Sequence, residues 1–166
     1  MFFCAVLATS RAALKPAYAW ASSPDSSARW RSARAATAAR PLSAGEVRAR
    51  VKDGLPLAEF DALRDLLGLT VESLADKIGI STATLSRRRQ SGRPLDAGHS
   101  DRLLRFARLF RLAAELHDRD QEAARDWLRK PARAFDGETP LDHADTEAGA
   151  REVENLIGRL EHGVYT

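Results

Sequence analysis

Residues 70–90 read TVESLADKIGISTATLSRRRQ, and their pattern predicts two short helices joined by a tight turn. Thr70 can cap the first helix, and Ser81 or Thr82 can cap the second. Gly79 lies between them, where the backbone turns in a way that strains a residue with a side chain. The stretch therefore predicts a helical hairpin.

The apolar residues of this hairpin are spaced as in a DNA-binding helix-turn-helix. Leu74, Ile78, Ile80 and Leu85 can fill the wedge between the two helices. Ala75 is small at the point where the second helix must cross close to the first. The remaining question is what the exposed side of the second helix does.

That exposed side is strongly basic, with three consecutive arginines and no acid between Asp76 and Asp96. A plain hairpin with a solvated basic face explains the apolar spacing but not this one-sided charge. We interpret the face as a DNA-binding surface, on which short polar side chains reach base edges and Arg88, Arg89 and Arg93 contact phosphates. The predicted DNA-binding residues are Ser81, Thr82, Ala83, Thr84, Ser86, Arg87, Arg88, Arg89, Gln90 and Arg93.

The segments around the hairpin also have helical patterns. Residues 57–67 place apolar side chains at helical spacing and are followed by Gly68, a suitable C-cap. Residues 100–117 read as one long helix. No segment alternates with period two over a useful length, so the sequence predicts an all-α fold.

Charge is unevenly distributed along the chain, although the formal net charge is only +3. Residues 1–40 carry six bases and one acid, and residues 41–116 carry thirteen bases and ten acids. Residues 117–166 carry seven bases and twelve acids. A single nucleic-acid surface over the whole chain is therefore not expected, and the acidic last third calls for another role.

The acidic third contains two predicted helices. The first, over residues 120–128, is expected to bury Trp127 and to end before Pro131. The second is expected to begin at a Thr146 cap and to continue to about Glu161. Gly137 and Pro140 are expected to bracket a loop between the two helices.

Two features of the last helix leave alternatives open. Gly158 costs about 1 kcal/mol relative to alanine inside a helix, so it is either merely tolerated or allows another backbone to approach closely. The tail GVYT, residues 163–166, places an apolar and an aromatic side chain beyond the helix. These side chains either pack onto the module itself or bind a partner.

The quoted motifs carry a family resemblance. The stretches WLRKPARAFDGETPL (127–141) and TEAGAREVENLIGRLEHGVY (146–165) resemble the toxin-binding domain of the Xre/MbcA/ParS antitoxin family. The helix-turn-helix, with its Arg87-Arg88 pair and the helix start at Ser100, resembles the Xre-like half of the same family. The resemblance covers roughly residues 46–166.

The resemblance implies a type II antitoxin with a DNA-binding domain over residues 46–116 and a toxin-binding domain over residues 117–166. It implies direct binding of a cognate RES-domain toxin that degrades NAD, and repression of the shared operon through operator DNA. A homodimer within a larger toxin–antitoxin complex and no cofactor are expected. The expected toxin-binding residues are Arg151, Glu154, Gly158, His162, Gly163, Val164, Tyr165 and Thr166.

Residues 1–42 lie outside the resemblance. Their Ser-, Ala- and Arg-rich composition predicts a disordered, dispensable basic extension, or else a natural start codon that lies further downstream. The apolar run over residues 2–8 is too short to span a membrane and has no basic segment before it. The single cysteine, Cys4, excludes an internal disulfide and fits a cytoplasmic protein.

Two other classes of function are less well supported by the residues. The four histidines are scattered, and the chain has no HExxH spacing, nucleophile elbow or Gly-rich phosphate loop, so we expect no catalytic or metal-binding residues. Asp142 and His143, beside Asp145, are interpreted as a solvated group. The alternative function is a stand-alone helix-turn-helix repressor whose C-terminal module senses a small ligand.

Overall fold

The structure is a computed structural model that describes residues 42–163, and within this range the regular elements are all helical. The predicted all-α class is confirmed. The expectations for residues 1–41, and for Val164, Tyr165 and Thr166, lie outside the described residues. The elements are α1 (Ala44–Asp53), α2 (Leu57–Leu67), α3 (Val71–Ile78), α4 (Thr82–Gln90), α5 (Ala97–Leu116), α6 (Gln121–Arg129), a 3-10 turn (Arg133–Phe135), α7 (Pro140–His143) and α8 (Glu147–Glu161).

Local caps set the boundaries that the sequence predicted well. The hydroxyls of Thr70, Ser81 and Thr146 each accept a hydrogen bond from the amide three residues later, at the starts of α3, α4 and α8. Gly68 and Gly79 adopt left-handed backbone conformations and end α2 and α3. These interactions span only three or four residues, so they can be predicted from the sequence.

Helix α1 was not anticipated. It begins with a capping box, in which the Ser43 hydroxyl accepts from the Glu46 amide and the Glu46 carboxylate accepts from the Ser43 amide at 2.7 Å. It ends at Gly54, where an added Cβ would lie 2.1 Å from the carbonyl oxygen of Leu95. Only Val51 of α1 is buried, and so its apolar pattern is weak in the sequence.

Two boundaries differ from the expectation. Helix α5 begins at Ala97, three residues before Ser100, because the Asp96 side chain caps it. Pro140, expected to bound a loop, begins the short helix α7 behind a Thr139 cap. A proline suits this position because a first-turn amide needs no partner within the helix.

The long helix α5 lies at the centre of the molecule and packs against α1, α2, α3, α6 and α8. One continuous apolar core runs from Leu55 to Ile157, so the helix-turn-helix and the acidic module share it. The buried α5 side chains are Ser100, Leu103, Phe106, Ala107, Leu109, Phe110 and Ala113.

Helix α6 covers the end of α2. Arg125 donates from Nε to the carbonyl of Leu66 at 2.9 Å, and Arg129 donates to the carbonyl of Gly68 at 3.4 Å. Cations at a helix C-terminus also interact favourably with its dipole. Trp127, expected to be buried, is only partly buried, because Leu128 of the same helix takes the innermost position.

The buried hydroxyl of Ser100 provides a test of the core. It accepts a hydrogen bond from the Leu55 amide at 2.8 Å. We expect Ser100→Ala to lower the free energy of unfolding by about 1–3 kcal/mol, because the buried amide loses its partner. Urea denaturation measures this change. Ser91→Ala, which removes an exposed hydroxyl, should change stability by no more than about 0.5 kcal/mol, and equal effects of the two variants would contradict the prediction.

Candidate functional site

The outward face of α4 carries half of the predicted DNA-binding residues. Leu85 is the buried residue of this helix and anchors it to the core. Five predicted contact residues are exposed together on the outer side: Thr82, Ala83, Ser86, Arg87 and Gln90. Short polar side chains and one long cation on a surface of this kind suit contacts to base edges and to the backbone of a duplex.

Two predicted phosphate contacts already have partners in the protein. Arg88 donates to the carbonyl of Pro94 at 2.6 Å and forms an ion pair with Asp96 at 3.0 Å. Arg89 donates to both carboxylate oxygens of Asp61, at 2.7 and 3.0 Å. A DNA phosphate would have to compete with these carboxylates for both arginines.

Arg87 and Arg93 are more available. Within residues 42–163, the Arg87 guanidinium donates a hydrogen bond to the hydroxyl of Thr84 at 3.1 Å and forms no ion pair. Arg93 is exposed in the turn after α4, and no residue between 42 and 163 forms an ion pair with it. From the sequence, Arg93 was grouped with Arg88 and Arg89 as a phosphate contact, whereas Arg87 was placed on the outward side of the helix.

Two residues of α5 position the helix-turn-helix and were missed in the sequence. Arg102 donates to the carbonyl of Ile78 at 2.9 Å, and His99 Nε2 donates to the carbonyl of Gly79 at 3.1 Å. They satisfy carbonyl groups at the end of α3, where the helix itself offers no donors. Their spacing of three residues on a helix places them on one side, but the sequence does not show which carbonyl groups that side faces.

Three of the predicted toxin-binding residues that the structure describes are exposed on α8 or just beyond its end: Arg151, His162 and Gly163. Among residues 42–163, no atom lies within 4 Å of a Cβ added to Gly158, so the described part of the chain leaves this glycine open. Gly149 is different, because its Cβ would lie 1.9 Å from a carbonyl oxygen of α7.

Glu154, also predicted to bind toxin, lies in a polar seam between α5 and α8. It forms an ion pair with Arg108. Arg105 lies on the same seam, 3.1 Å from Glu147, and donates to the carbonyl of Asp145 at 2.8 Å. Burial raises the pKa of Glu147, but the charges of Arg108 and Arg105 outweigh it and lower that pKa overall.

A second polar contact joins the helix-turn-helix to the acidic module. Lys77 of α3 forms an ion pair with Asp142 of α7, although the two residues are 65 positions apart. The hydrogen bond from Lys77 lowers the pKa of Asp142, with a further contribution from the hydroxyl of Thr139. The two halves are therefore joined by charge as well as by the core.

His143 holds the acidic module together. Its Nδ1 lies 2.9 Å from Glu138 and its Nε2 lies 2.7 Å from Glu152, while its ring stacks on Phe135 at 4.4 Å. Ionised carboxylates only accept hydrogen bonds, so the doubly protonated ring is the form that can donate to both acids. Hydrogen bonds to Glu152 and then Glu138 raise the pKa of His143.

The geometry gives no reason to assign a reaction to this cluster. Asp142 is engaged by Lys77, whereas His143 faces two other acids, so the two neighbouring residues do not act on a common atom. Among residues 42–163, no group of His, Cys, Asp or Glu side chains is arranged to hold a metal ion. No helix in the described range has the length and apolar character needed to cross a bilayer.

Comparison with known families assigns both halves. Residues 46–108 match the antitoxin Xre-like helix-turn-helix domain. Residues 112–163 match the C-terminal toxin-binding domain of the antitoxins Xre/MbcA/ParS. The matched ranges meet within α5, the helix that both halves bury.

Individual relatives cover the same region. The chain is 33% identical over 127 residues to the antitoxin Xre of Photorhabdus laumondii, and the aligned region covers 76% of this chain and 86% of that protein. It is 32% identical to the antitoxin Xre of Yersinia enterocolitica over the same shares of both chains. It is 24% identical over 126 residues to the Prs ADP-ribosylating antitoxin of a Sphingobium species, covering 69% of this chain and 77% of that protein.

The His143 cluster predicts a pH dependence of stability. Because the folded-state pKa of His143 is raised, its stabilising effect is complete below the unfolded pKa of about 6.5 and is lost as pH rises through the folded pKa. We expect the difference in urea midpoint between the native chain and His143→Gln to be largest near pH 6 and to shrink in alkaline solution.

The exposed His162 provides the matched control for this measurement. His162→Gln should leave the urea midpoint of the native chain unchanged across the same pH range, because the side chain lies outside the cluster. A difference between the native chain and His143→Gln that stays constant with pH would show that the imidazolium does not hold the module together.

Proposed function

Since this chain belongs to the Xre/MbcA/ParS family of antitoxins, we propose that it neutralises a RES-domain toxin that degrades NAD and represses the operon that encodes the pair. We assign DNA binding to residues 46–116 and toxin binding to residues 117–166. The observation that carries the proposal is that one shared apolar core presents two separate exposed faces, on α4 and on α8. This arrangement suits a protein that binds two different partners.

The proposed DNA contact uses the outer face of α4. Thr82, Ser86 and Gln90 supply hydroxyl and amide groups for base edges, and Arg87 and Arg93 supply charge for phosphates. Arg88 and Arg89 keep their carboxylate partners in the free protein, so they contribute less than Arg87 and Arg93 to the nonspecific attraction of DNA phosphates. We propose that two copies bind together, because twofold pairing places two such helices about one DNA turn apart.

The proposed toxin contact uses the outer face of α8 and the tail that follows it. The acidic composition of residues 117–166 suits a toxin pocket that is basic because it binds the phosphates of NAD. Gly158 allows the toxin backbone to approach α8 closely, and Arg151 and His162 offer polar contacts on the same face. An antitoxin placed in that pocket excludes NAD directly.

The name of the Sphingobium relative suggests a second possible chemistry for the toxin. An ADP-ribosylating toxin also binds NAD, because it transfers the ADP-ribose part to a target and releases nicotinamide. An antitoxin that occupies the NAD pocket would neutralise a toxin of either kind. Loss of cellular NAD without labelling of a protein would favour the NAD-degrading toxin proposed above.

We expect replacement of both Arg87 and Arg93 by alanine to weaken operator binding and to lower the salt slope by about two units, because two phosphate contacts are lost. Fluorescence anisotropy on the operator between about 50 and 200 mM salt measures the slope. The matched control replaces Arg133 and Arg159, two exposed arginines of the acidic module, and should leave the slope unchanged. Equal slopes for both double variants would remove α4 from the DNA interface.

We expect Gly158→Leu to fold at least as stably as the native chain, because the added side chain enters open space and leucine favours helix. The same change should weaken toxin binding by about 10- to 100-fold, because overpacking a close contact costs ~1–3 kcal/mol. Calorimetry with the toxin and growth of co-expressing cells measure the loss.

Ala134→Leu is the control for this change. Ala134 is exposed in the 3-10 turn of the acidic module, outside α8, and the substitution also adds a bulky apolar side chain. It should leave both operator binding and neutralisation intact. Full protection of cells by Gly158→Leu would place the toxin contact elsewhere on the acidic module.

A further inference from the structure

Arg93 lies in the turn that follows α4, beyond the helix that carries the other proposed DNA contacts. Its side chain is exposed and forms no ion pair with another residue between 42 and 163. Gly92 precedes it with a left-handed backbone at a φ of 64°. Among the described residues, no atom lies within 4 Å of a Cβ added to Gly92, so packing does not hold the turn there. The direction of Arg93 therefore depends on hydrogen bonds.

One residue of α4, Arg88, holds this turn on both sides of the Arg93 side chain. The carbonyl of Arg88 accepts a hydrogen bond from the Arg93 amide at 2.9 Å. The guanidinium of Arg88 donates to the carbonyl of Pro94 at 2.6 Å. The same residue therefore bonds the turn at Arg93 and again one residue further along the chain.

Asp96 fixes the Arg88 guanidinium in this position. Its Oδ2 accepts a hydrogen bond from Arg88 Nη2 at 3.0 Å, while its Oδ1 accepts from the His99 amide at the start of α5. Leu95, beside Asp96, is buried, and its amide donates to the carbonyl of Leu55 at 2.9 Å. This end of the turn is therefore anchored in the core, and Arg88 connects it to α4.

Arg88 is poorly placed to contact DNA itself. Only 25% of its side-chain surface is exposed, compared with 50% for Arg89 on the same helix. Both terminal nitrogens of its guanidinium already donate to oxygen atoms, and its Nε is shielded from solvent. A phosphate would have to displace both acceptors to bind Arg88, and the turn that contains Arg93 would then lose its attachment to α4.

We propose that Arg88 and Asp96 form a clamp that positions Arg93 for its phosphate contact, and that Arg88 does not contact DNA itself. The inference rests on the proposed DNA-binding function, since it concerns how one of those contacts is made. A contact residue whose backbone is fixed before binding loses less conformational freedom when the complex forms. Arg88 and Asp96 are thus positioning residues, and Arg93 makes the contact.

A double-mutant cycle between Arg88 and Arg93 tests the clamp in the full-length chain, with fluorescence anisotropy on operator DNA over a range of salt concentrations. Arg93→Ala should lower the salt slope by about one unit and weaken binding about tenfold near 0.1 M salt, because one phosphate contact is lost. Arg88→Ala should reduce the slope and the affinity by no more than this. In a chain that already carries Arg93→Ala, Arg88→Ala should change neither.

The cycle separates positioning from direct contact and from simple destabilisation. If Arg88 contacts a phosphate, its replacement lowers the slope by about one unit with or without Arg93, which would overturn the proposal. A loss of affinity that is equal in both backgrounds would also overturn it. Arg89→Ala is the matched control, because Arg89 pairs with Asp61 and not with the turn. Its effect should be the same in both backgrounds.

Asp96→Asn tests the other half of the clamp. Asparagine can still cap α5, but it no longer attracts the Arg88 guanidinium by charge. Removal of an acid near DNA favours binding in any background, whereas loosening of the clamp matters only while Arg93 is present. The effect of Asp96→Asn on affinity should therefore be about two- to fivefold less favourable with Arg93 than with Arg93→Ala. Equal effects in both backgrounds would overturn the role of Asp96.

Hydrogen exchange of the Arg93 amide in the free chain separates this inference from the proposed function. Arg88→Ala should speed this exchange by about tenfold, because the turn opens more often, and Arg89→Ala should leave it unchanged. Unchanged exchange in Arg88→Ala would overturn the clamp even if the native chain binds its operator. Faster exchange in a chain whose native form binds no operator would support the clamp as a structural device and count against the proposed function.

Discussion

The burial of α5 is the constraint on which both candidate surfaces depend. A helix with Leu103, Phe106, Leu109 and Phe110 on several sides cannot lie on a surface, and each such side chain gains about 1.5–3 kcal/mol only when it is covered. The helix-turn-helix covers part of α5, and α6 and α8 cover another part. Neither half can hold its functional face rigidly unless the other half is in place.

Paired and unpaired charges divide the surface into structural and available regions. Lys77, Arg105 and Arg108 join the two halves through acids, and their charge is therefore not free to attract a partner. The same reasoning applies to Arg88 and Arg89 on α4. If the α4 face binds DNA as proposed, its few free cations attract phosphate weakly, and base contacts are then expected to account for a larger share of the affinity.

The sequence predicted what depends on near neighbours in the chain. The caps at Thr70, Ser81 and Thr146 and the turn at Gly79 need only three or four residues, and the structure has them as expected. The all-α class and the antitoxin family were also identified. Helix α1 was missed because its apolar face is narrow and its place is fixed by contact with a distant part of the chain, at Leu95.

The candidate site was harder to predict from the sequence for the same reason. The basic run on α4 was visible, but the division between Arg87 and Arg88 depends on Pro94 and Asp96 folding back onto the helix. The open space around Gly158 and the crowding of Gly149 also depend on tertiary packing, since both glycines lie on the same helix. A pattern of residue types does not contain these distances.

The shared burial of α5 also constrains how this protein can change by recombination. A recombination crossover within α5 would join helices α1–α4 of one relative to helices α6–α8 of another. These two parts would not have evolved together. Unless the other relative carried the same residues at these positions, Arg105 and Arg108 would lose their acid partners on α8, and the carbonyl groups at the end of α2 would lose the arginine donors of α6. DNA specificity and toxin specificity are thus expected to be inherited as one unit, and new pairings to arise by substitutions on the two outer faces.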